Sequence, residues 1–238
     1  NEMIHNKFSF INYNGLRKNK INQLSKNNTV NPFDDKVVII DEAHNFVSMI
    51  VNKIEKEKRQ DNPQHVSTML YKFLMEAQNA KVVLLTGTPI INYPNEIGIL
   101  FNLLRGYIKT WYFPVKPSPN TNEKFIRNMF AKIKTMDYMT FENNLVTITR
   151  NPHGFVNITE DGIYKGVKLD TKGDFMNDNE YVKFIKSLFQ KNDIVLDGRM
   201  KINYEKALPD KLLDFTNLFI QSDNGEMKNV DLFKRRIQ

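Results

Sequence analysis

The chain has 238 residues, of which 41% are hydrophobic, and this is enough to bury a core in one large domain or in one domain with an appendage. It contains no cysteine, so disulfides and thiolate metal sites are excluded, and its four histidines share no metal-ligand spacing. The net charge of +7 is spread along the chain and is compatible with a polyanionic partner. Neither an apolar run of about 18 residues nor a signal-peptide pattern occurs, so we predict no membrane segment.

The first part of the chain alternates between predicted strands and helices. KFSFINYNG at 7–15 has the pattern of a short apolar strand that closes in an Asn-Gly turn, and a helical spacing follows it. The apolar runs at 36–41 (KVVIID) and 81–85 (KVVLL) are typical of central strands that are buried on both faces of a parallel sheet. Helices are predicted at 45–58, 65–79 and 93–106. This order predicts an α/β fold, a parallel sheet with helices on both faces.

After Trp111 the sequence changes character, because prolines become frequent. A hairpin is expected to turn at Asp161-Gly162, a dipeptide suited to a tight turn. The densest basic clusters lie at 16–20 and 233–238, and we interpret both as solvated surface rather than as binding sites. The predicted elements are a proline-rich connection at 112–122, a helix at 123–134, a strand at 143–149, the hairpin at 154–169, helices at 178–191 and 209–220, and a basic helix at the end.

Asp41 and Glu42 follow the first predicted central strand, where ligands of parallel α/β sheets usually bind. Two adjacent carboxylates repel each other unless they share a cation or a proton, and a Mg²⁺ ion bound to phosphates would supply the cation. Asp41 would then hold the metal through water, and Glu42 would orient and deprotonate the water that attacks the γ-phosphate. Alternatively, Asp41 caps the next helix and Glu42 lies in its first turn. For the acidic pair considered alone, this structural alternative is the better interpretation.

Two motifs in order carry a resemblance to a known family. Residues 37–44 resemble the DEAH form of the Walker B motif of superfamily 2 helicases, and residues 82–104 resemble motif III in the Thr-Gly-Thr-Pro form shared with Snf2-type translocases. The finer resemblance is to the helicases of large nucleocytoplasmic DNA viruses, of the poxvirus early transcription factor and giant-virus type. Smaller landmarks of that group are YNG, NPF, DEAHNFVS, TRNPHGF, LPD and FKRRI.

The resemblance implies part of a RecA-like (P-loop NTPase) lobe in a nucleic-acid-dependent ATPase that uses ATP and Mg²⁺. Carried over to this chain, it implies that Asp41 coordinates Mg²⁺ through water, that Glu42 activates water, and that His44 communicates with the loop at 86–88. It also implies nucleic acid as the partner, DNA rather than RNA, together with the viral transcription machinery. The implied location is the virion core or the cytoplasm of the infected cell.

The loop of Thr86, Gly87 and Thr88 would couple the nucleotide state to the grip on nucleic acid and to closure of the two lobes. In the structural alternative, Gly87 permits a tight turn, and Thr86 and Thr88 cap the next helix. These two interpretations are compatible, because such a loop has to be a well-formed turn in either case.

The chain departs from the family in one large respect. The phosphate-binding string G-x-x-x-x-G-K-[ST] does not occur, and Gly15 is the only glycine before Asp41. We therefore expect residues 1–150 to be the distal part of the first RecA-like lobe and residues 151–238 to be an inter-lobe extension. The Walker A segment and a second lobe are expected in the rest of a longer helicase chain, and the isolated chain is expected to be inactive. The alternatives are a non-hydrolysing structural or interaction subunit and a Mg²⁺-dependent nuclease.

Overall fold

The computed structural model describes residues 7–57, 63–119, 121–161, 163–171, 173 and 176–238. These residues form two compact units that interleave along the chain. Unit 1 contains the described residues up to Tyr107 together with Lys206–Lys228, and unit 2 contains those of Ile108–Glu205 and Asn229–Gln238. The predicted division into the distal part of a RecA-like lobe at 1–150 and an inter-lobe extension at 151–238 stays a prediction. Within the described part of the chain, no helix has both the length and the apolar character that crossing a membrane requires.

Helices and strands occur in both units, which confirms the predicted α/β class. The helices are α1 (Lys18–Leu24), α2 (Ala43–Ile54), α3 (Val66–Glu76), α4 (Asn95–Arg105), α5 (Glu123–Phe130), α6 (Asp178–Lys191), α7 (Leu212–Phe219) and α8 (Val230–Arg236). The strands are β1 (Val37–Ile40), β2 (Lys81–Leu84), β3 (Tyr107–Pro114), β4 (Met136–Glu142), β5 (Leu145–Arg150), β6 (Phe155–Glu160), β7 (Ile163–Leu169) and β8 (Lys201–Lys206).

Unit 1 is built on a parallel pair of strands. β1 and β2 pair in register, with Val37 opposite Lys81 and Ile40 opposite Leu84. One face of this pair packs on a core that α2, α3 and α4 complete, and Ile40 is buried in it. α2 contributes a continuous apolar stripe to this core because its buried residues recur at helical spacing. They are Ala43, Phe46, Val47, Ile50, Val51 and Ile54.

The other face of the same two strands is exposed. Val37 and Ile39 are 64% and 60% exposed, and Val83 and Leu85 are 40% and 48% exposed. The expectation that these strands are buried on both faces is therefore wrong for the described residues. Side chains alternate between the two faces of a strand, and the helices of the described part of unit 1 cover only one of them. An apolar sheet face is left uncovered, which we call the open face.

One face of α4 binds the segment Ala207–Asp210, where the chain re-enters unit 1. Asn95 donates to the Asp210 carbonyl at 2.9 Å, and Asn102 exchanges two hydrogen bonds of 2.9 Å with the Leu208 backbone. Between them, a Cβ at Gly98 would lie 2.2 Å from the Pro209 carbonyl oxygen, so only glycine permits this approach. Positions 95, 98 and 102 share a face because they are three and four residues apart.

Unit 2 contains a four-stranded sheet of order β4-β5-β3-β8, in which β4, β5 and β3 pair antiparallel, and the β6-β7 hairpin. Trp111, Ile148 and Met139 lie side by side on its buried face. α5 and α6 cover this face with aromatic side chains, and Trp111 contacts Tyr181 of α6 with ring centroids 5.4 Å apart. The predicted hairpin is confirmed in β6 and β7, although Gly162 of its expected turn lies outside the described residues.

Two arginines of α8 attach this helix to the rest of unit 2. Arg236 binds the carboxylate of Asp137, which is 1% exposed, and Arg235 donates to the Asp137 carbonyl at 2.7 Å. Arg235 also stacks over the Tyr164 ring at 3.8 Å. The interpretation of the basic cluster at 233–238 as solvated surface is therefore wrong for these two arginines, because buried carboxylate and aromatic partners hold them.

Other sequence-based expectations fail at strands. Residues 8–12 form neither helix nor strand, so the strand predicted there is wrong, whereas the expected Asn-Gly turn lies in the 3₁₀ turn Tyr13–Gly15. The connection expected at 112–122 begins inside β3. β4 and β8 were not predicted. The polar and apolar residues of β4 alternate irregularly, and β8 pairs with β3, which is distant in sequence.

Candidate functional site

The predicted acidic motif lies in the turn between β1 and α2. The amide of Leu85 donates to the Ile40 carbonyl at 2.9 Å, and the amide of Ala43 donates to the Leu85 carbonyl at 2.9 Å. The pairing of the two strands thus continues past their ends and holds the turn against the residue that precedes Thr86. As predicted from the order of the elements, the polar residues that follow the two parallel strands lie at the same edge of the sheet.

Glu42 has an unusual backbone in this turn. Its φ and ψ are +48° and +49°, in the left-handed region, which costs a residue with a Cβ on the order of 1 kcal/mol or more. Glu42 occupies the N-cap position of α2 without a side-chain capping bond, and among the described residues Asp41 Oδ1 accepts from the adjacent Glu42 amide alone, at 3.0 Å. The alternative in which Asp41 caps the helix and Glu42 lies in its first turn is therefore wrong. Both carboxylate-bearing residues are exposed.

His44 connects the acidic turn to the Thr-Gly-Thr loop. Its Nδ1 lies 2.8 Å from Thr86 Oγ1 and 3.3 Å from Glu42 Oε2. Thr86 Oγ1 also accepts from the Thr88 amide at 3.2 Å, which fixes the hydroxyl beside the imidazole. His44 is mostly buried whereas Glu42 is 61% exposed, and the contact therefore joins a fixed ring to an accessible carboxylate.

The loop residues themselves have no helix-capping role. α4 begins at Asn95, so the expectation that Thr86 and Thr88 cap the next helix is wrong, and Thr86 instead closes a local turn with Thr88. Gly87 is absent from the residues with positive φ, and a Cβ there would meet no described atom within 4 Å. The fold of the described residues does not require glycine at this exposed position.

Glu96 fixes the far side of the loop, and sequence reasoning assigned it no role beyond its place in the motif. It is 1% exposed, and its Oε2 accepts from the amides of Ile91 and Asn92 at 2.7 and 3.2 Å. Its Oε1 accepts from the Ser48 hydroxyl of α2 at 3.0 Å. A single buried carboxylate thus connects the helix that follows Glu42 to the loop that contains Thr86. The sequence signals for it were its place in the motif III segment and its position in the first turn of a predicted helix.

The carboxylate oxygens of the acidic turn suit a cation whose remaining ligands are phosphate oxygens and water. Among the described residues, no group of three or more His, Asp or Glu side chains could hold a metal ion. Mg²⁺ in nucleotide sites is usually bound by one or two carboxylates, with phosphate oxygens and waters completing its shell. The exposed oxygens of Asp41 fit such a role.

Comparison with known proteins gives local similarities. A protein of Acanthamoeba polyphaga mimivirus with the provisional name ATP-dependent RNA helicase is 38% identical over 73 residues, which is 28% of this chain and 8% of that protein. The termination factor NPH-I homologue of African swine fever virus is 36% identical over 72 residues, which is 30% of this chain and 9% of that protein. No family model and no solved structure matches the chain. The chain spans less than a tenth of the length of these curated relatives, and the similarities relate it to viral helicases.

Proposed function

We propose that this chain is part of a nucleic-acid-dependent ATPase, a superfamily 2 helicase or translocase that acts in viral transcription or genome handling. The observation that carries the proposal is the 2.8 Å contact between His44 and Thr86, which joins the two motifs at one edge of the sheet. The similarity to viral proteins named as a helicase and as a termination factor supports it. The proposed partner is nucleic acid, DNA rather than RNA, in the virion core or the cytoplasm of the infected cell.

In this proposal the two carboxylates have different roles. Asp41 holds Mg²⁺ through water, and Glu42 orients and deprotonates the water that attacks the γ-phosphate of ATP. The bound Mg²⁺ would neutralise the charge that develops on the phosphates. The failure of the helix-capping alternative supports these roles, because neither carboxylate serves the helix that follows.

His44 and the loop at 86–88 would couple the nucleotide to the rest of the protein. A change in the position of Glu42 reaches His44 across 3.3 Å and Thr86 across a further 2.8 Å. Further along the same connection, Glu96 binds the amides of Ile91 and Asn92 and the Ser48 hydroxyl of α2, the helix that follows the acidic turn. Gly87, which the described fold does not require, leaves room for a ligand or another protein segment to approach the backbone.

The open face of β1 and β2 is the proposed contact surface for the rest of the helicase chain. Four aliphatic side chains that are 40% to 64% exposed form a surface that water solvates poorly. Further strands and helices of the RecA-like lobe would cover it, together with a phosphate-binding loop that places ATP in front of Asp41 and Glu42.

We predict that the isolated 238-residue chain hydrolyses ATP no faster than background, because no residue string in it can cradle the phosphates.

In a longer polypeptide that combines this chain with a Walker A segment, Glu42→Gln is expected to lower kcat at least about 100-fold, since a general base contributes roughly 10²- to 10⁴-fold. Phosphate release with and without DNA or RNA measures both effects.

Glu142→Gln is the matched control, because Glu142 is an exposed carboxylate in unit 2, and its turnover should equal that of the wild type. Stimulated turnover by the isolated chain that Glu42→Gln abolishes would contradict the expected inactivity. Turnover in the longer polypeptide that survives Glu42→Gln would refute the role assigned to Glu42, and a lack of turnover in the wild-type longer polypeptide would favour the non-hydrolysing subunit.

A further inference from the structure

Tyr13 lies against the acidic turn although it is nearly thirty residues away in sequence. It begins the 3₁₀ turn Tyr13–Gly15, which the Asn12 side chain caps by accepting from the Asn14 amide at 3.2 Å. Its half-buried ring contacts the buried ring of Phe46 in α2, with centroids 5.6 Å apart. The local turn and the packing of its ring therefore fix where the Tyr13 hydroxyl lies.

The hydroxyl contacts both peptide groups that flank Glu42. It lies 3.0 Å from the Asp41 carbonyl oxygen and 3.1 Å from the Glu42 carbonyl oxygen. A phenol has one proton to donate, so the two carbonyls share it or take it in turn. The orientations of these two peptide planes define φ and ψ of Glu42, because the planes meet at its Cα. One side chain thus holds both backbone dihedrals of the residue that has the left-handed conformation.

We infer that Tyr13 is a positioning residue, whose hydroxyl selects the left-handed backbone of Glu42 and thereby sets where the Glu42 carboxylate lies relative to Asp41 and His44. The inference about the backbone stands on the geometry alone, and its consequence for ATP hydrolysis rests on the proposed function. Left-handed φ is disfavoured for residues other than glycine, so an outside contact is needed to maintain it at Glu42.

The phenol stays a donor over the working pH range. Partial burial raises the pKa of Tyr13 above its usual value, and the negative charges of Asp41 and Glu42 raise it further. The acidic turn therefore favours the protonated hydroxyl that holds it, and loss of the contact through ionisation is not expected near neutral pH.

Tyr13→Phe in the 238-residue chain tests the inference, because phenylalanine keeps the ring against Phe46 and removes only the hydroxyl. The expected result is that Glu42 loses its positive φ, measured by NMR from backbone couplings and from the intraresidue amide-to-Hα NOE. Tyr204→Phe is the control, since Tyr204 is 65% exposed and lies in unit 2, and it should leave Glu42 unchanged. A positive φ at Glu42 that persists in Tyr13→Phe would overturn the inference.

A second measurement separates this inference from the proposed function. In a longer polypeptide that contains this chain and hydrolyses ATP, Tyr13→Phe should lower kcat roughly 10- to 100-fold with little change in KM, because the base is misplaced while nucleotide binding is retained. If φ of Glu42 changes but kcat does not, the catalytic role of Glu42 fails and the backbone inference stands. If kcat falls while φ is unchanged, Tyr13 acts by another route and the inference is wrong.

Discussion

Replacing Asn102 with alanine is expected to lower the free energy of unfolding of unit 1 by about 2 to 5 kcal/mol. The Asn102 side chain is fully buried and donates to the Leu208 carbonyl at 2.9 Å and to the Tyr71 hydroxyl at 3.1 Å. Its oxygen accepts from the Leu208 amide at 2.9 Å. Alanine removes all three bonds, and each buried polar group left unpaired costs about 1 to 3 kcal/mol. Native-state hydrogen exchange of the α4 amides measures the change.

Two further variants separate hydrogen bonding from packing at this position. Asn102→Leu fills the space of the Asn102 side chain without polar atoms. It should therefore lower the free energy of unfolding of unit 1 as much as Asn102→Ala does. Asn52→Ala removes an exposed asparagine from α2 in the same unit, and its effect should stay within about 0.5 kcal/mol. Wild-type stability of Asn102→Leu would mean that volume, and not the bonds to Leu208, holds the segment on α4.

Asp137→Ala is expected to destabilise unit 2 by about 3 to 5 kcal/mol, because it breaks a buried ion pair and leaves a guanidinium without its carboxylate. The Asp137 side chain is 1% exposed and that of Arg236 is 12% exposed. Asp137 also accepts from the Thr149 hydroxyl at 3.1 Å. Urea unfolding followed by tryptophan fluorescence measures the loss, since Trp111 is the only tryptophan of the chain and is buried in the core of unit 2.

Glu123→Ala is the matched control for this ion pair. Glu123 binds Arg127 at 2.8 Å on α5, with side chains that are 59% and 51% exposed. An exposed pair of this kind contributes at most about 1 kcal/mol. If Asp137→Ala and Glu123→Ala lowered the free energy of unfolding equally, the buried ion pair of Asp137 would contribute no more to the stability of unit 2 than an exposed pair does.

The edge of the sheet that contains the candidate site could be predicted from sequence because its signals are local. The runs at 36–41 and 81–85 are strongly apolar, polar residues follow each of them, and parallel strands bring such ends together. The observed contact between His44 and Thr86 follows from that rule. The roles assigned to Asp41, Glu42, His44 and the loop at 86–88 stay proposals.

The supports of the site could not be predicted, because they depend on contacts between residues that are distant in sequence. Tyr13 reaches the turn at Glu42 from the 3₁₀ turn Tyr13–Gly15, and no local pattern indicated that contact. Glu96 is one acidic residue among many until its three hydrogen bonds are seen. Periodicity reports which face of a helix is apolar, but it does not report which distant segment lies against that face.

The sequence by itself determined the α/β class, the two parallel strands of unit 1 and the placement of the polar motifs after them, since each follows from residues that are neighbours in the chain. Only the tertiary structure decided that one face of those strands is open, that Arg235 and Arg236 are held by Asp137, and that Glu42 has a left-handed backbone beneath the Tyr13 hydroxyl. These features depend on which surfaces meet after folding, and the free energy of such contacts is not encoded in any local pattern.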